Sequence, residues 1–250
     1  MKKGQILLII VMLLATVMTV VLSVSFKSVT ETQITKLEEE SQKALAAAEA
    51  AIEAALKENA TAIIGLGSLS SITGFSGSAT IESTTAKTFT TANIPKNGSY
   101  TFYLGAYDMN AKTIQASTNQ NIDLCFQSET INPAIEITLV KSSGVKKYVI
   151  DPSSRISSAA SGSSICTPDS NYGVSYTIPG TDIGADGQFF LVRVLYAPTK
   201  LLFSRSTNLP LQGRTVSSQA TSVTSTGVSK KVILFQSYPQ IPGEFFTTAF

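Results

Sequence analysis

Cys125 and Cys166 are the only two cysteines in the 250-residue chain. Outside the cytoplasm an even pair reads as a disulfide; the other reading is two free thiols. Forty residues lie between them, so a bridge would contribute roughly 3–4 kcal/mol on the chain-entropy model. The chain has no histidine. That removes the usual general base, the Ser-His-Asp and Cys-His nucleophile systems and most zinc and haem sites. Two thiols without histidine make no standard structural zinc site. Asp182-Ile-Gly-Ala-Asp186-Gly187 has oxygen ligands and a glycine turn, loosely suggestive of Ca²⁺, with a hairpin turn as the alternative. Asn119, Asn121 and Asp123 are weaker still. No phosphate-binding loop, dinucleotide fingerprint or nucleophile elbow is present. These residues predict no enzyme, no cofactor and no resident metal.

Composition points the same way. The net charge is only +2, which gives no warrant for a nucleic-acid partner. Serine and threonine together number 61, while charged residues are 14%. A surface of hydroxyls rather than charges is commoner outside cells than in cytosolic enzymes.

The N-terminus sets the expected compartment. Met1-Lys2-Lys3-Gly4-Gln5 leads into residues 6–24, a run of 19 residues without a charge. As a helix this run is about 28 Å long, enough to cross a hydrocarbon core of about 30 Å. Lys2 and Lys3 favour a cytoplasmic N-terminus, which places the rest of the chain outside. Thr16, Thr19 and Ser23 are tolerable in lipid because their hydroxyls bond back to carbonyls one turn earlier. A cleavable secretory signal is the alternative, since Ser23-Val24-Ser25 fits the small-x-small cleavage pattern. The apolar run is longer than the usual h-region, however, and no Pro or Gly interrupts the chain between Gln5 and Asn59.

Past Val24 the pattern becomes amphipathic. Ile34, Leu37, Leu45, Ala48, Ile52 and Leu56 keep to one stripe, with Ser41 filling the gap. Residues 44–56 are mostly alanine with glutamate, strong helix formers. Lys36–Glu40, Glu39–Lys43 and Glu53–Lys57 are opposite charges at i,i+4. The spacing predicts one helix over residues 5–59, ending near Asn59, about 80 Å long. No small domain can bury such a helix. Its first half needs lipid or other helices, and its second half needs one partner face.

A basic leader ending in Gly4, an apolar helix starting at once and an amphipathic stalk running into a β-rich head resemble type IV pilins and pseudopilins. Ser28-Val-Thr-Glu31-Thr-Gln and Ala44-Leu-Ala-Ala-Ala-Glu49-Ala-Ala-Ile-Glu53-Ala-Ala-Leu56 are similar to the start of PilX-type minor pilins. The resemblance covers roughly the first 60 residues. It implies that prepilin peptidase cuts between Gly4 and Gln5, leaving residues 1–4 as leader, and that the new N-terminus is methylated. It also implies three partners: other pilin subunits, the peptidase and the inner-membrane assembly platform. Two positions depart from the major-pilin pattern. The first mature residue is Gln5 rather than Phe. The fifth is Ile9, where major pilins carry the glutamate thought to pair with a neighbour's N-terminal amine. The missing carboxylate resembles minor, tip-type pseudopilins. The alternative is a single-pass anchored surface adhesin or scaffold that does not polymerise.

From residue 60 to residue 250 short β-branched and aromatic runs alternate with Gly, Pro, Asn and Ser clusters. Strands are expected over 79–82, 88–94, 100–107, 113–116, 122–127, 134–140, 147–150, 173–178, 189–195, 200–204 and 230–236. Asn97-Gly98 and Asp186-Gly187 are turn signals. Many short strands at this spacing predict an antiparallel sandwich. The fold class is therefore α+β: a long N-terminal helix followed by a β-sandwich-like head. Ile135-Glu136-Ile137-Thr138-Leu139 alternates as a half-exposed strand does. The serine-rich stretch 152–170 and the stretch 212–229 read as solvated loops. The end, Tyr238-Pro239-Gln240-Ile241-Pro242-Gly243-Glu244-Phe245-Phe246, reads as an extended tail docked on the head. With Lys230-Lys231-Val232 it resembles the C-termini of uncharacterised pilin-like surface proteins of candidate-phylum bacteria.

Overall fold

The computed structural model describes residues 3–83, 85–127, 131–163, 166–223 and 227–242, with side chains from residue 8 onward. Ser164 of the serine-rich stretch, residues 224–226 and the tail's Gly243, Glu244, Phe245 and Phe246 lie outside the described residues.

Helix α1 spans Lys3–Glu58. Then come β1 (Ala62–Ile63), a 3₁₀ turn (Gly67–Leu69), β2 (Phe75–Glu82), β3 (Thr88–Thr90), β4 (Ser99–Tyr103), β5 (Tyr107–Asp108) and β6 (Thr113–Ile114). Next are β7 (Ile122–Phe126), β8 (Ala134–Lys141), β9 (Gly144–Ile150), β10 (Val174–Ile178) and the short helix α2 (Gly180–Ile183). Last are β11 (Gly187–Leu195), β12 (Leu201–Ser204), β13 (Gly213–Ser222) and β14 (Ser229–Ser237). The class is α+β, a long helix followed by antiparallel sheets. Two compact units divide the chain, Met1–Glu82 with Thr215–Leu234, and Ser83–Arg214 with the part from Phe235 onward.

The first unit joins α1 to a four-stranded sheet of order β1-β2-β13-β14. The helix ends where expected. Asn59 takes φ 50°, and the Ala60 N–H donates to the Ala55 carbonyl at 3.2 Å, a Schellman closure. The helix buries the C-terminal half of the expected stripe, Ala48, Ile52 and the partly buried Leu56, and departs from it before that. Ala44, Ala47, Ala48, Ala51, Ile52, Ala54 and Ala55 are buried, while Ile34, Leu37 and Leu45 stay 50, 44 and 40% exposed. The sheet side of this contact is equally small, with Ala79 and Ala220 both fully buried. Methyl groups on both surfaces let backbone approach backbone, while Ile52 and Val216 fill the same cluster and Leu45 stays outside it. Gly77 of β2 answers a separate constraint within the sheet, because a Cβ there would lie 1.9 Å from the Gln219 carbonyl oxygen of the paired strand β13.

Strand β13 corrects the loop expected over 212–229. It pairs antiparallel with β2 from Thr215↔Glu82 to Ser222↔Phe75. Its inward residues are Val216, Ser218, Ala220 and Ser222, so the period-2 pattern carries little hydropathy contrast.

The second unit is an antiparallel sandwich. Sheets of order β10-β7-β12-β3 and β4-β11-β8-β9 share one core. Phe102 of β4 stacks on Phe203 of β12 with ring centroids 4.0 Å apart, joining the two sheets. The strand expected over 100–107 breaks after Tyr103 into β4 and the β5–β6 hairpin.

β8 is buried on both faces, including Glu136 and Thr138, which overturns its half-exposed reading. The outer face of its sheet carries a second cluster of Tyr103, Phe189 and Tyr238, with Val140, Leu211 and Ile241 packed against it. The tail through residue 242 is docked as expected. Gln240 Oε1 accepts from the Thr101 N–H at 2.8 Å, and the Tyr103 hydroxyl donates to the Pro239 carbonyl at 2.6 Å. Gln212 does the same one step along, accepting from the Tyr103 N–H and donating to the Tyr103 carbonyl at 2.8 and 2.9 Å. Two glutamine amides thus stand in for a missing neighbour strand along the edge of β4 and cap its free backbone groups.

Candidate functional site

The strongest functional feature is the surface of α1. With 56 residues it is about 84 Å long. No charge interrupts it between Lys3 and Lys27. From Leu8 to Val24 its large apolar side chains are 48–67% exposed, all round the helix. Each such side chain gains roughly 1.5–3 kcal/mol on full burial, so this stretch demands an apolar environment that the chain itself does not supply. Thr16 Oγ1 donates to the Leu13 carbonyl at 2.9 Å, and Thr19 Oγ1 to Ala15 at 2.7 Å, as expected. These bonds satisfy the hydroxyls within the helix and leave its outside apolar. The helix is long and apolar enough to span a membrane, compatible with single-pass anchoring.

Beyond the span, Lys27–Glu31 and Glu39–Lys43 pair at 3.8 and 2.6 Å. Lys43 holds the Glu39 carboxyl below the ordinary carboxylate range by hydrogen bond and charge. Ile34, Leu37 and Leu45 continue an uncovered apolar row along this charged stretch. Gly4 and Gln5 lie in the helical backbone at the start of α1. Ile9, the position that departs from the major-pilin pattern, is an apolar side chain 52% exposed.

The cysteines meet. Cys125 of β7 and Cys166 are joined by a disulfide, with Cα atoms 5.9 Å apart. Tyr172 and Leu202 pack around it. The bridge staples the serine-rich stretch to the sheet. That stretch is also tied elsewhere, which the solvated-loop reading missed. Ala160 bridges to Ile150 at the end of β9, and Ser163 bridges to Ser175 of β10. At its start the buried Asp151 carboxylate accepts from the Ser153, Arg155 and Ile156 N–H groups and pairs with the Arg155 guanidinium at 2.7 Å. Nothing in serine composition signals these ties, because they are backbone bonds and one carboxylate-centred turn.

Asp182 and Asp186 lie beside β9 and the β8–β9 turn. Asp182 faces Lys146 Nζ at 2.6 Å and accepts from the Tyr148 hydroxyl at 2.7 Å. Asp186 faces Lys141 Nζ at 3.1 Å and the Ser143 hydroxyl. Lys146 and Tyr148 lower the Asp182 pKa, and Ser143 and Lys141 lower that of Asp186. Both carboxylates are therefore answered by ammonium groups. Asn121 Oδ1 is occupied by the Gly180 N–H at 2.8 Å. Among the described residues no group of three or more metal-ligating side chains comes together.

In comparison with known proteins, no family model, no curated protein and no solved structure matches this chain.

Proposed function

We propose that this chain is a minor pilin or pseudopilin-like subunit of a bacterial type IV filament system. Its role is assembly, with no catalytic step. The observation that carries the reading is one uninterrupted helix that is apolar all round in its first half and buried against its own sheet only from Ala44 onward. In the membrane, with a cytoplasmic N-terminus and an extracytoplasmic head, lipid covers the first half. After a cut between Gly4 and Gln5, equivalent helices of other subunits replace lipid with little change in burial. The uncovered row Ile34, Leu37 and Leu45 supports this lateral packing, because it continues the apolar surface past the span. The remaining partners are the prepilin peptidase and the inner-membrane assembly platform.

The second reading is a single-pass anchored surface adhesin or scaffold that does not polymerise. Ile9 favours it, since that residue supplies no carboxylate to a neighbour's N-terminal amine. Intact-mass analysis of the chain from native membrane or filament fractions separates the two. A mature chain starting at Gln5, methylated, is expected. A chain that keeps Lys2 and Lys3 overturns the processed-pilin reading and leaves the anchored one. A start at Phe26 overturns both, because the span would then have been removed.

A further inference from the structure

The sandwich carries a groove of about 530 Å³ on the outer face of its β4-β11-β8-β9 sheet. That volume is within the range of small-molecule sites. Its floor is Glu136 of β8, Val149 of β9, and Arg193 and Leu195 of β11. Register explains the grouping, because Arg193 pairs with Glu136, and Glu136 with Val149, across adjacent strands. Ile156, Ser157 and Ser158 form one wall, and Tyr196 forms part of another.

The walls are held firmly. Asp151, its side chain fully buried, fixes Arg155 through Nε and Nη2 at 3.1 and 2.7 Å. Arg155 also donates to the Asn132 carbonyl at 2.9 Å. The guanidinium lies 3.8 Å from the centroid of the Tyr196 ring. Tyr196 sits at φ 71°, a conformation costly for a bulky side chain, and its residue remains 40% exposed.

Among the described residues the charged side chains of the groove do not all pair. Arg155 is answered by Asp151, and Glu136 by Lys147 at 3.4 Å. No hydrogen bond or ion pair joins the Arg193 side chain to a described residue. The groove thus offers one uncompensated guanidinium, whose planar fork matches a carboxylate. Beside it are a buried carboxylate that accepts hydrogen bonds from hydroxyls, two serine hydroxyls that donate or accept, the apolar side chains of Val149 and Leu195, and an aromatic edge.

We infer that this groove binds a carboxylated sugar residue, a uronate or sialate unit of a surface glycan. Its carboxylate pairs with Arg193. Its ring hydroxyls bond to Glu136, Ser157 and Ser158, and its C–H face rests on Val149, Leu195 and Tyr196. A peptide C-terminus also carries one carboxylate, but it lacks the several hydroxyls that the acceptor Glu136 and the serines call for. The inference holds whether or not the chain polymerises.

The test uses the full chain in detergent micelles on an array of uronate- and sialate-bearing glycans, their methyl esters and neutral counterparts, with peptides ending in a free carboxylate as a further arm. Titration of the best glycan follows. Binding to carboxylated glycans, at least tenfold weaker for their esters and for R193Q, is expected. R193K, which keeps the charge and loses the fork, should weaken binding less than R193Q. R193Q should melt within a few degrees of the parent chain, since Arg193 supports no ion pair. The esters act on the ligand alone, so they decide the question even if R193Q fails to fold. No binding to any carboxylated glycan, equal binding of acid and ester, or binding of the peptides instead overturns the assignment.

Discussion

Asp151 combines full burial with a retained charge. Burial pushes its carboxyl pKa up, but the Arg155 guanidinium and the Ser153 and Arg155 N–H groups outweigh that and hold it below the ordinary value. A carboxylate whose folded pKa is lowered stabilises the fold at pH values above its unfolded pKa of about 3.9. That stability is lost as pH falls through the lower folded value. Urea unfolding of the sandwich should therefore show falling stability below about pH 4, with a shallower fall in D151N. At neutral pH D151N should cost about 1–3 kcal/mol, because it leaves Arg155 and three N–H groups poorly matched. The disulfide acts on the unfolded chain instead. Replacing both Cys125 and Cys166 by serine should lower sandwich stability by roughly 3–4 kcal/mol in the same assay.

At the scale of the element, α1 uses alanine for two purposes. Alanine has the highest helix propensity, and its methyl group permits close seating on a sheet whose facing residues include Ala79 and Ala220 beside Val216. A51L should therefore overpack the contact and destabilise it by roughly 1–3 kcal/mol. L45A, on the exposed side, should change stability by no more than about 0.5 kcal/mol. Amide hydrogen exchange of β2 and β13 reads both. An A51L chain with unchanged protection would mean that helix and sheet are not closely seated.

For the whole molecule the question is what covers the apolar first half of α1. A lysine at the centre of a span costs about 2.5–3.5 kcal/mol on the insertion scale. The double variant L13K/V17K should therefore leave the carbonate-resistant membrane fraction that holds the parent chain. Retention of the variant there would show that this stretch is not the anchor.

The long helix, its apolar run, its end at Asn59 and the disulfide partners were legible in the residues themselves. Each rests on local chemistry: 3.6-residue periodicity, uninterrupted hydropathy, a residue that tolerates positive φ, and cysteine parity. Most sandwich strands were legible for the same reason, since β-branched and aromatic residues stand in alternation there. Only the tertiary structure decided the rest. Strand β13 was hidden because its inward residues include serines and an alanine, chosen by the space beneath a close helix. The stripe of α1 held at Ala48, Ile52 and Leu56, and additional alanines joined it where Leu45 stayed outside, for the same reason. Glu136 read as solvent-facing, because alternation tells which face a residue takes and not what lies over that face. The Arg193 groove was beyond reach from sequence, since its residues come from three strands and two loops up to sixty positions apart and only the tertiary fold sets them side by side.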